Sequence, residues 1–96
     1  MSIDAALLEI RAATDEVRTV ARATGDSSRL GTAAWLDTRF AEISNVPELR
    51  AAARDALHLW GGMGSFSDVG SAEAHHAVER LRLALRRALS WRLVLD

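Results

Sequence analysis

Apolar side chains return every third or fourth position along four stretches of this chain, and each stretch is bounded by residues that stop or start helices. That spacing restricts the fold to packed helices, because it gathers the apolar groups of each stretch on one helical face. In the first stretch, about Ile3 to Thr24, the stripe is Ile3, Leu7, Ile10, Val17 and Ala21, with Thr14 filling the gap. Asp4, Arg11, Asp15, Arg18 and Arg22 take the opposite face, and Asp15 and Arg18 are spaced for a helix-surface ion pair. Gly25 supplies the stop, since glycine readily takes the left-handed conformation that follows many helices. Asp26, Ser27 and Ser28 then offer caps for the next helix.

A second helix over 30–43 places Ala33, Leu36, Phe40 and Ile43 on one stripe, with Trp35 at its margin. Pro47 belongs in the first turn of a third helix over 47–60, where its missing N–H costs nothing and Glu48 meets the positive helix end. That helix buries Leu49, Ala52 or Ala53, Ala56, Leu57 and Trp60, and Gly61 ends it. A fourth helix over 71–94 carries Ala74, Val78, Leu81, Leu85 and Ala88 inward, within a broader apolar set of Ala77, Ala84, Trp91 and Leu95. The run from Trp91 to Leu95 is the one candidate for extended structure, but its continuity with this helix favours a helical or frayed end. The expected fold is all-α, one domain over 1–96: a compact four-helix bundle with a glycine-rich loop between helices 3 and 4.

That loop, Gly61 to Gly70, holds four of the six glycines together with Met63, Ser65, Phe66, Ser67, Asp68 and Val69. A plain spacer does not need Met63, Phe66 and Val69, so the loop folds back onto the bundle through tight glycine turns. Three readings stay open. The loop is a packed corner with an N-cap from Asp68 or Ser71. Alternatively it binds a partner, with Met63 or Phe66 as anchor and Ser65, Ser67 and Asp68 as hydrogen-bonding groups. The third reading is an anion site at the start of the fourth helix, although no lysine follows the glycines and Asp68 repels an anion. The string from Leu59 through Trp60, Gly61, Gly62, Met63, Gly64, Ser65, Phe66 and Ser67 to Asp68 resembles a family of small bacterial domains of unknown function. In that family a helix ends in Gly-Gly-Met-Gly-Ser-aromatic-polar-Asp, and the resemblance implies no reaction.

Composition narrows the function further. A net charge of −1 argues against a protein built mainly around polyanions. All twelve basic residues are arginine, and Arg80, Arg82, Arg86, Arg87 and Arg92 cluster against the single carboxylate of Glu79. The bland account is solvated surface whose stems cover a bundle flank and pair with acids of the first helix. The chain has no cysteine, no secretory leader and no apolar run near the roughly 20 residues of a membrane span, so a cytoplasmic location is expected.

No catalytic constellation stands out. His75 and His76 are adjacent, so on a helix they point about 100° apart and do not share a metal readily, and His58 lies before the loop. Ser65, His75 and Asp68 form a triad only on paper. We therefore expect a non-catalytic protein-interaction module without metal or cofactor, an immunity or regulatory protein. It would bind a partner protein, or a second copy, through Met63, Ser65, Phe66, Ser67, Asp68 and the adjacent helices. The alternative is a nucleic-acid-binding protein using the arginine-rich fourth helix.

Overall fold

The computed structural model describes residues 2–60 and 71–90, and every regular element in them is helical. The helices are α1 (Ile3–Thr24), α2 (Ser27–Arg39), α3 (Val46–Leu57) and α4 (Ala72–Ser90), with a single 3-10 turn, His58–Trp60, after α3. The five loop residues Met63, Ser65, Phe66, Ser67 and Asp68, and the Trp91–Leu95 run, lie outside the described residues.

Each start and stop has a local cause. Ser2 caps α1 by accepting a hydrogen bond from the Ala5 N–H at 3.0 Å. Gly25, at φ 67°, closes the same helix. The Asp26 N–H then reaches back to the Ala21 carbonyl at 2.8 Å, which satisfies one of the carbonyls orphaned by the helix end. Asp26 at once begins α2, its carboxylate accepting from the Arg29 N–H at 3.1 Å. The second helix therefore starts at Ser27, three residues before the periodicity alone suggests.

It also ends early. Arg11 of α1 donates to the Phe40 carbonyl at 3.1 Å, giving that helix end a cationic partner and taking the chain out of the helix before Ile43. Phe40 stays buried and Ile43 packs partly on the core, so the apolar stripe survives the end of regular helix. Asn45 caps α3, accepting from the Glu48 N–H at 2.9 Å, and Pro47 sits in the first turn as expected. Ser71 opens α4 by accepting from the Ala74 N–H at 3.1 Å.

α1 and α4 form the central antiparallel pair; α2 packs chiefly on α1 and α3 chiefly on α4. One continuous core joins Leu7, Ile10 and Val17 of α1, Leu36 and Phe40, Leu49 of α3, and Val78, Leu81 and Leu85 of α4. Between these larger groups lie Ala6, Ala13, Ala52, Ala53, Ala56, Ala77, Ala84 and Ala88. Side chains of that size let helix axes approach to the short end of the usual 8–10 Å range. The core is thus thin but closed: the crevice bounded by Val17, Ala21, Ala77 and Val78 offers about 10 Å³, room for one water at most.

Candidate functional site

The described helices carry two polar surfaces, the seam between α1 and α4 and a groove between α2 and α3. The first is the α1–α4 seam. Glu9 and Glu16 are seven residues apart on α1, and Arg80 and Arg87 are seven apart on α4. Seven residues are two turns, so each pair shares one face beside its apolar stripe. Antiparallel packing then sets Arg87 Nη1 2.6 Å from Glu9 Oε1 and Arg80 Nη1 3.0 Å from Glu16 Oε1. Two members of the basic strip are therefore spent on holding α4 to α1. Arg82 pairs at 3.7 Å with Glu79 on its own helix.

His76 extends this seam toward the loop. Its Nε2 lies 4.0 Å from Glu16 Oε2, an oxygen screened from solvent that makes no hydrogen bond among the described residues. Glu16, Val20, Ala72, Glu73 and His76 line an open groove of about 430 Å³ there. His75 and His76 are both exposed, as is His58 at the end of α3. Among the described residues no three histidine or carboxylate groups converge on a point that a metal ion could occupy.

A second groove, of about 480 Å³, runs between the end of α2 and the start of α3, lined by Thr38, Arg39, Ala41, Glu42, Ile43, Glu48 and Ala51. Two of its charged members already hold the backbone in place. Arg39 grips Asp55 Oδ2 through Nε at 3.0 Å and Nη2 at 2.8 Å. Glu48 Oε1 accepts from the Ser44 N–H at 2.9 Å and the Ser44 hydroxyl at 2.7 Å. Those bonds favour the ionised form and hold the Glu48 carboxyl below its usual pKa. Arg18, bridging Asp15 and Asp37, has its pKa raised, first by the hydrogen bond it donates to Asp37. Both shifts belong to charges that fasten secondary structure.

What remains for recognition is apolar surface. Leu8, Leu83 and Trp35 are 70%, 56% and 42% exposed. Of the tryptophans, Trp60 packs partly on the core, Trp35 stands in solvent, and Trp91 lies outside the described residues. Trp35, expected at the margin of the inner stripe, is 42% exposed, while Ala33, Leu36 and Phe40 are buried in the stripe itself. The sevenfold repeat of Glu9 with Glu16 and of Arg80 with Arg87 was the available signal for the seam. No family model matches the chain, and neither a curated protein nor a solved structure does. No described helix is long and apolar enough to cross a membrane.

Proposed function

We propose that the chain is a non-catalytic module that binds another protein through its 61–70 loop and the helices beside it, an immunity or regulatory protein in role. The observation that carries this reading is Trp35, a large rigid side chain held 42% exposed on a capped helix while smaller residues fill the core. Aromatic side chains in that position are the commonest anchors of protein interfaces. The loop adds Met63 and Phe66, apolar groups that a spacer does not require, among hydroxyls and Asp68. The pairing of Arg80 and Arg87 with Glu16 and Glu9 favours a protein partner over nucleic acid, since those guanidiniums already face carboxylates.

A pull-down with the full chain tests this reading against Met63→Ala, Phe66→Ala and Asp68→Ala, each checked for native helicity by circular dichroism. Loss of the same captured protein by at least two of the variants is expected. Identical captured sets for all four chains would overturn the loop's role. Binding of random duplex by the wild type at about 50 mM salt would favour the nucleic-acid alternative.

A further inference from the structure

Gly25 and Asp26 alone join α1 to α2, and the chain reverses within them. The reversal hangs on the left-handed φ of 67° at Gly25. With ordinary helical angles at Gly25, α1 and α2 run on as one helix over 3–39. The bonds of the turn then have helical replacements. The Arg29 N–H leaves the Asp26 carboxylate for the Gly25 carbonyl, and the Asp26 N–H moves from the Ala21 carbonyl to that of Arg22. What α1 packs against, α2 and α4, comes after the turn in sequence. Arg11 donates to the Phe40 carbonyl and Arg18 to Asp37, while Glu9 and Glu16 pair with Arg87 and Arg80. Each of these contacts bridges the turn, so α1 of a second copy can make it unchanged.

We propose that α1 is exchanged between two copies of this chain: the turn at Gly25 opens into continuous helix, and each α1 docks on α2 and α4 of the other copy. The occupant follows from the interface already described, because the surface that α1 vacates is the one that receives the other α1. α1 brings seven buried residues to it, so the exchange conserves the core as well as the ion pairs. Short hinges invite such exchange.

The geometry is consistent with a two-fold axis. Arg11 beside Phe40 and Arg18 beside Asp37 are both contacts centred close to the Gly25–Asp26 turn in sequence. Two continuous helices that make those contacts with each other therefore run antiparallel and cross at the former turn. The side chains there include Ala23, Thr24, Ser27 and Ser28, small enough for close approach. Arg22 and Arg29 flank Asp26 and offset the meeting of two carboxylates near the axis. In the wild type the closed form dominates, since glycine, aspartate and serine favour a turn over helix. Closure within one chain also acts at an effective concentration of about millimolar. The exchange goes beyond the loop reading and does not depend on it.

Sedimentation velocity on full chains refolded from urea at about 5 to about 500 µM tests the proposal. Alanine at position 25 is strained in the left-handed turn and relaxed in continuous helix, a difference of about tenfold per hinge. A dimer holds two hinges. Gly25→Ala should therefore dimerise about a hundredfold more tightly than wild type, passing from monomer to dimer over this range while wild type stays mainly monomeric. A Gly25→Ala chain monomeric throughout would overturn the proposal. A second measurement separates exchange from side-by-side contact. In the Gly25→Ala background, one chain carries Glu16→Arg and another carries Arg80→Glu, so each by itself sets like charges across the seam. Refolded together and exchanged, the introduced arginine faces the introduced glutamate, and the native Glu16 and Arg80 face each other at the second seam. Native mass spectrometry should then show heterodimers well above the statistical half of all dimers. Heterodimers at or below that half would rule out exchange of α1.

Discussion

Gly25 is held in place by backbone conformation rather than by lack of space. At Gly25 a Cβ would meet nothing within 4 Å, yet φ is 67°, so the requirement is conformational. Gly25→Ala should cost about 1 kcal/mol, visible as a lower urea midpoint with an unchanged slope, and an unaltered midpoint would contradict the left-handed turn. Thr14 is the one buried polar side chain among the described residues, and its hydroxyl donates to the Ile10 carbonyl at 2.8 Å. That carbonyl belongs to the α1 ladder, so Thr14→Val removes the donor without orphaning the oxygen. Its stability should stay within about 0.5 kcal/mol of wild type in denaturant titration. The alanines are less forgiving. Ala13 and Ala53 are fully buried where helices meet, and leucine at either position forces them apart, at about 1–3 kcal/mol or more.

Elements are held at their ends and by ion pairs between helices. Glu48 fastens the start of α3 through Ser44, first by the backbone N–H and then by the hydroxyl, and its folded pKa is therefore lowered. A lowered folded value means the contribution is present above the ordinary glutamate range and is lost as pH falls through the folded pKa. Melting curves from pH 7 down to about pH 3 should show Glu48→Gln losing less stability on acidification than wild type, with the difference confined to that acidic window. Between α1 and α4, the Glu9–Arg87 and Glu16–Arg80 pairs fix direction and register. Glu16→Arg should destabilise by about 0.5–1 kcal/mol, and adding Arg80→Glu should restore most of the loss. If the double variant is no better than the single one, the pair does not couple the helices.

At the scale of the whole molecule, stability is unevenly spread. α1 buries seven residues and is gripped by two other helices, whereas α2 buries only Ala33 and Leu36 within its length and leans chiefly on α1. Amide hydrogen exchange should accordingly be slowest in α1 and α4 and fastest in α2; uniform protection would contradict that order. Much of this architecture was legible beforehand. Gly25, Pro47 and the 3.6-residue stripes determine four helices and most of the core, because propensity, capping and periodicity act over a few neighbouring residues. Both ends of α2 were less legible. Its start depends on Asp26 serving two helices at once, and its stop depends on Arg11, which lies 29 residues away. The sequence alone determined which residues are oily and where the chain must turn. Only tertiary packing decided that Arg80 and Arg87 face Glu16 and Glu9 across a seam, and that Trp35 looks outward, because those outcomes depend on which faces meet across 64 and 78 residues of chain.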